Sequence, residues 1–543
     1  MTTQSPHMDR VELEAILGVP EGSVRIVPTA VGGGFGSKLD LSVQPYLALA
    51  AWMLGRPVRI TYTRPESMMS TTKRHPSRMH ARIGATRDGR LTAMDFSGEF
   101  DTGAYASWGA TVANRVPVHA GGPYVWDAYR ARTVAVHTNN PPAGAFRGFG
   151  VPQSTIALEC LLDELADAVG MDRLEFRHHN ALVAGVPTVT GQVFTGGVGY
   201  RECLEALRPH WDRARAEAAS AGEGSPRRGV GLAGMWYGCG NTALPNPSTV
   251  KVGLRRDGRI ALYQGAVDMG QGANTVMTQI CADAVGIDMS AIVTLGADTD
   301  TTPDAGKSSA SRQTFISGNA TYLAATALRE RLLALAGASD EAHLELDHAR
   351  LVVHDRDRAT PVDLGSLRAD GDDLVAVTSA TYDPPTTALD DDGQGEPYAQ
   401  FGYGAHMAEL EVDLDLGTVR LRRITAAHDV GRAVNPTLIE GQIEGGVAQG
   451  IGMALMEEYL PGRNENLHDY LIPTIGDVPE VVSILVESGD PAGPYGAKGI
   501  GEHSLIPTAP AILNAIRDAV GAGVRRLPAT PDRVLAAIEE GAR

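Results

Sequence analysis

The chain is poor in cysteine, short of basic residues and without an apolar run of membrane-spanning length, and each shortage removes a class of function. Its four cysteines, Cys160, Cys203, Cys239 and Cys281, stand far apart in 543 residues. With no Cys-x-x-Cys pair there is no zinc ribbon and no thiolate set for an iron–sulfur cluster in this chain, so the four are expected to be buried free thiols. A redox role would therefore have to pass electrons to another chain. Lysine and arginine number 47 against 65 acidic residues, a formal net charge of −18. Neither nucleic acid nor an anionic membrane is an expected partner, since both demand a basic face. The most apolar stretch, Tyr46 to Leu54, is too short to span a bilayer and follows Pro45, which predicts a buried helix. The opening Met-Thr-Thr-Gln-Ser-Pro-His has neither the basic stretch nor the apolar core of a secretory leader, and a cytoplasmic location is the expectation.

Glycine is what the chain has in excess. Its 63 glycines exceed the average usage of about 7% without a collagen-like period, which points to loops that touch a ligand. They gather in Gly32-Gly-Gly-Phe-Gly-Ser37, Gly144-Ala-Phe-Arg-Gly-Phe-Gly150, Gly270-Gln-Gly272, Gly306-Lys-Ser-Ser-Ala-Ser-Arg312 and Gly496-Ala-Lys-Gly-Ile-Gly-Glu502. Such segments bring bare backbone N–H groups up to an anionic, oxygen-rich ligand, and Glu502 adds a proton acceptor. Nucleotide fingerprints do not account for them. Thr301 stands where a P-loop before Gly306-Lys-Ser308 needs its first glycine, and Ser37 stands where a dinucleotide-binding turn needs its third. His75, His80, His178 and His179 lack metal-ligand spacing and read as structural or surface residues.

Period-two runs meeting at turn signals predict hairpins over 82–95 around Asp88-Gly89, over 250–263 around Asp257-Gly258, and over 408–424 near residues 415–417. Val24 to Val27 reads as a strand leading into the Gly32 cluster. Helices are predicted from Ser154 to Val169, stopping at Gly170, from Ala320 to Ala336, and from the Asn435-Pro436 cap towards Glu458. Glycines 445, 446, 450 and 452 inside that last helix cost roughly 1 kcal/mol each against alanine and imply close approach by ligand or backbone. Hairpins and helices in runs indicate an α+β fold. A polar stretch at 218–228 has linker composition and divides the chain into lobes at 1–225 and 226–543.

In these motifs and their order, from about Thr3 to the C-terminus, the chain resembles the molybdenum hydroxylases of the xanthine dehydrogenase family in their molybdopterin-binding subunit. The resemblance implies a two-lobed pair of molybdopterin-binding domains, with molybdenum held by the pterin dithiolene and by no side chain. Gly34, Phe35, Gly36, Gln271, Gly272, Ser308, Ser309, Ser311 and Gln442 would bind the cofactor, expected as the cytosine dinucleotide. Glu502 would be the catalytic base and Arg147 a substrate-orienting cation, with Leu39 and Phe149 lining the substrate pocket. Purine-oxidising relatives have Glu where Leu39 stands, which puts xanthine itself in doubt. The stretch from Thr299 through Asn319 resembles relatives that hydroxylate purines or nicotinate. The implied reaction inserts water-derived oxygen at an electron-poor carbon of an N-heteroaromatic. An aldehyde oxidase, an aryl-CoA reductase or a non-catalytic truncated paralogue are the alternatives.

The family usually has Pro-Pro or similar after its glutamate, and His503-Ser504 departs from that. Its members also carry an N-terminal domain and a glutamine facing the molybdenum ahead of the point matching Thr3-Gln-Ser-Pro-His7. Expected partners are a [2Fe-2S] subunit, an FAD subunit, a chain supplying that N-terminal domain, and a small-molecule substrate, with neither iron–sulfur nor flavin in this chain. Obligate assembly follows as a prediction: expressed alone, the chain should contain little or no molybdenum by elemental analysis, and full activity in isolation would refute this.

Overall fold

A computed structural model describes residues 1–222, 224–348, 350–369 and 371–542. The chain forms two compact units, one of residues 1–60, 245–385 and 492–499, the other of residues 61–244, 386–491 and 500–543. Both are interleaved along the sequence, so compactness divides the chain along different lines from sequential lobes at 1–225 and 226–543. Helices and largely antiparallel sheets occur in runs, as the α+β expectation has it.

The first unit holds a four-stranded sheet in the order Leu374–Tyr382, Ser248–Arg255, Ile260–Gln264, Ile292–Gly296, against which the helix Gly318–Ala336 packs. The hairpin expected around Asp257-Gly258 is its centre. Val24 to Val27 belongs to no sheet, contrary to expectation. Its backbone is satisfied instead by Thr299, whose hydroxyl accepts from Ile26 N and whose amide donates to Ile26 O, and by the N-terminal amine on Val27 O. The apolar stretch after Pro45 is helical (Gln44–Leu54) but not buried: Tyr46 is 67% exposed, Trp52 60% and Met53 78%. Its apolar residues run all round the helix, and the helix Pro6–Leu17 beside it covers little of that circumference.

In the second unit a four-stranded sheet runs Glu480–Val486, Val419–Asp429, Phe401–Val412, Arg227–Gly238. The helix Thr508–Val520 lies on it, burying Ile512, Leu513, Ile516 and Val520. Two strand glycines permit that contact: a Cβ on Gly229 would stand 2.0 Å from Ala515 O, and one on Gly231 2.2 Å from Ala511 O. Close seating of this helix fixes the chain just ahead of it, residues 500–507. A three-stranded sheet, Ser77–Ala85, Leu91–Gly103 and Ala128–His137, opens with the expected Asp88-Gly89 hairpin. The helix Val151–Val169 ends at Gly170 in the left-handed conformation, and the helix begun by Asn435 ends at Leu455, three residues short of Glu458. Cys203, Cys239 and Cys281 are buried free thiols, and Cys160 is half-buried. Among the described residues no helix is long and apolar enough to cross a membrane.

The helices of this unit are joined by a fully buried ion network. Arg177 donates from Nε to Glu159 Oε2 and from Nη1 to Asp163 Oδ1, both at 2.7 Å, while the Tyr124 hydroxyl donates to Glu159 Oε1 at 2.6 Å. Removing one partner of a buried pair strands the other charge. Arg177→Met should therefore lower stability by about 3–5 kcal/mol in denaturant unfolding, and an unchanged midpoint would show that the network does not hold the helices.

Candidate functional site

Glu502 lies in the turn ahead of the helix Thr508–Val520, within the second unit. Its Oε1 accepts from the Gly148 amide at 3.0 Å and its Oε2 from the Tyr237 hydroxyl at 2.7 Å. The Gly148 donor exists because Gly148, Phe149 and Gly150 all adopt positive φ (90°, 50° and 92°), folding a tight turn before the helix Val151–Val169. The residues after the glutamate anchor it. His503 is fully buried, with its ring over Gly402, where a Cβ would stand 1.6 Å from the imidazole, and against Tyr237 at a centroid distance of 5.6 Å. Ser504 Oγ donates to Gln442 O at 2.8 Å.

Arg147 is 5% exposed, and every guanidinium nitrogen is engaged within this unit. Nε donates to Gly501 O (2.6 Å), Nη1 to Gln449 Oε1 (3.0 Å), and Nη2 to Gln442 O, Gln442 Oε1 (both 3.2 Å) and Ser504 Oγ (3.0 Å). An arginine can only donate, so both glutamines must turn their amide oxygens towards it and their NH2 groups away. Burial lowers the Arg147 pKa to about 10, against the opposing charge of Glu502. Arg74 and Arg115 feel Glu502 as well. Arg74 donates to Arg147 O at 2.8 Å and lies over the Phe146 ring, while Arg115 lies over Phe149, Tyr237 and Tyr398.

The glycines of the helix Pro436–Leu455 divide in two. A Cβ on Gly446 would meet Ser504, one on Gly450 the Thr508 side chain and one on Gly452 the Glu457 carboxylate, so these three admit close neighbours; Gly441 and Gly445 face open space.

The remaining candidates belong to the first unit. Gly34 is enclosed by Met269 and Gln4, whose side chains leave no room for a Cβ. Gln4 was not singled out from sequence, yet it ties two candidate loops: its Oε1 accepts from Gly36 N at 2.9 Å and its Nε2 donates to Ser308 O at 2.8 Å. Phe35 is 49% exposed in the left-handed conformation (φ 54°), and Leu39 is buried. Gln271 braces its own loop, accepting from Met269 N and donating to Val267 O, and Gly272 begins the helix Ala273–Val285. Ser308 Oγ donates to Val267 O and accepts from Val267 N, both at 2.9 Å. Arg312 supports the serine loop from beneath through Asn246, Pro247 and Ala305. Ser309 is half-buried, and Ser311 is left-handed (φ 54°) with its carbonyl where a Cβ on Gly499 would fall.

The structure thus brings Glu502, Arg147, Phe149 and Gln442 together in one unit, and Gly34, Phe35, Gly36, Leu39, Gln271, Gly272 and the serines in the other. Sequence reasoning missed Tyr237, Gln449, Gln4 and Arg115. Only Gln449 carried a local signal, its place seven residues after Gln442 on the same helix face.

Two family models, each described as a molybdopterin cofactor-binding domain, match residues 1–181 and 205–479. The xanthine dehydrogenase molybdenum-binding subunit of Escherichia coli O157:H7 is 35% identical over 562 residues, covering 98% of this chain and 72% of that protein. The nicotinate dehydrogenase large molybdopterin subunit of Eubacterium barkeri is 47% identical over 208 residues, 38% of this chain and 49% of that protein. The solved aldehyde oxidoreductase of Desulfovibrio gigas superposes with a TM-score of 0.90 at 31% identity, over 99% of this chain and 57% of that one. The chain therefore spans little more than half the length of that enzyme. With both domain models and these relatives in agreement, the chain belongs to the xanthine dehydrogenase family of molybdopterin-dependent oxidoreductases, as a molybdenum-binding subunit.

Proposed function

We propose that the chain is the cofactor-bearing subunit of a molybdenum hydroxylase in which Glu502 is the general base, acting on an N-heteroaromatic of purine or nicotinate type. The observation that carries this reading is the carboxylate itself, gripped at one oxygen by a backbone amide and at the other by a phenol among three arginines. Such a grip fixes where a proton acceptor presents its oxygens.

The residues fit the cofactor. Arg147 orients the Gln442 and Gln449 amides so that their NH2 groups can donate to pterin or phosphate oxygens, and Gly441 and Gly445 leave that side of the helix open. In the first unit the turn at Gly34, Phe35 and Gly36, with Gln271, Gly272 and the loop of Ser308, Ser309 and Ser311, would supply further contacts. The bound molybdopterin, proposed in its cytosine dinucleotide form, supplies oxygen transfer and a two-electron sink. Arg147 acts through what it holds, keeping both glutamines and the Glu502 turn in place, while Glu502 takes up a proton at its carboxylate oxygen.

Electrons are proposed to leave through a [2Fe-2S] subunit and an FAD subunit. Four scattered cysteines support that division of labour. The 47% identity to a nicotinate dehydrogenase subunit supports the substrate class. Apolar Leu39, and likeness to an aldehyde oxidoreductase, favour aldehydes as the second reading.

The test is Glu502→Gln in the co-expressed complex, assayed with purines, nicotinate and aldehydes. Loss of a general base predicts a fall in kcat/KM of roughly 10²- to 10⁴-fold at unchanged molybdenum and pterin content. Turnover within tenfold of the unaltered enzyme would end the proposal.

A further inference from the structure

Tyr237 is placed to act on Glu502 rather than on any ligand. It is the penultimate residue of the strand Arg227–Gly238, opposite Gly402 in the neighbouring strand Phe401–Val412. Because Gly402 has no side chain, the His503 ring occupies the space beside it, and that ring in turn packs on Tyr237. On another side the Arg115 guanidinium lies 4.8 Å from the phenol ring centroid. Tyr237 is fully buried, so its hydroxyl needs a partner, and it has one in Glu502 Oε2 at 2.7 Å. Phenol, imidazole and guanidinium are thus locked together, and the phenol's one donor points at the carboxylate.

We propose that Tyr237 is a positioning residue for the base: its hydroxyl fixes the rotamer of Glu502 and with it the direction in which the carboxylate faces the reacting group. This rests on Glu502 being the base. Burial keeps the phenol protonated by raising its pKa well above the usual tyrosine value, so it stays a donor at any working pH. Glu502 is also faced by the Arg74, Arg115 and Arg147 cations and by the Tyr398 phenol, which lies under Arg115. None of the three arginines changes charge near neutrality, so they set a constant field against which the tyrosine's contribution can be read.

Loss of the hydroxyl frees the Glu502 rotamer while leaving the carboxylate in place. Tyr237→Phe should therefore lower kcat roughly tenfold through loosened orientation. KM should stay within about twofold.

The experiment compares Tyr237→Phe, 3-fluorotyrosine at position 237, and Glu502→Gln in the assembled holoenzyme, each normalised to molybdenum content. Fluorotyrosine keeps the shape and the donor, so its kcat should stay within about twofold of the unaltered enzyme. An unchanged kcat in Tyr237→Phe alongside an inactive Glu502→Gln would overturn the proposal while sparing the base. Should Glu502→Gln keep its turnover, the base itself is wrong. Where Tyr237→Phe does not assemble, 4-methylphenylalanine at position 237, which fills the hydroxyl's space without a donor, takes its place with the same fall expected.

Discussion

A single buried guanidinium organises the residues around Glu502. Arg147 reaches from the turn before one helix to the turn before another and to the face of a third, binding Gly501, Ser504, Gln442 and Gln449 together. These groups lie some three hundred residues apart in sequence, so no local preference could align them. Burying that cation is costly, and the negative charge that offsets it is Glu502. The proposed base and its clamp are therefore interdependent. Loss of Glu502 would leave the buried Arg147 without the charge that offsets it.

The same dependence explains which features were legible in the sequence. Turn chemistry at Asp88-Gly89 and Asp257-Gly258 is local, and both hairpins form there. Helix ends marked by Gly170 and by Asn435-Pro436 are local too, and the structure keeps them. Glycines in the helix Pro436–Leu455 pointed to close approach without saying by what, and part of that approach is by Ser504 and the Thr508 side chain. Tyr237 gave no signal. A tyrosine in an apolar strand reads as core, and only the register of that strand against Gly402 and the His503 ring turns its hydroxyl to the carboxylate. Arg115 and Gln4 were hidden for the same reason, since their partners lie far along the chain. Burial of the helix after Pro45 was over-read, because composition reports how apolar a segment is and not whether anything covers it.

Backbone conformation gives the candidate loops a further common property. Left-handed φ at a residue other than glycine costs about 1–2 kcal/mol, yet Phe35, Phe149, Ala310 and Ser311 all adopt it, and all four fall in segments singled out by their glycines. Such strain persists only where surroundings over-determine it. Here they do. Gln4 bridges the Phe35 turn to the Ser308 loop, Gly499 leaves room for the Ser311 carbonyl, and Arg312 braces that loop from below. Around Phe149 the Gly148 amide is held on Glu502. In each loop it is the course of the main chain that the supporting side chains fix. Glu502 is the one carboxylate in these loops that is held by both a backbone amide and a buried phenol.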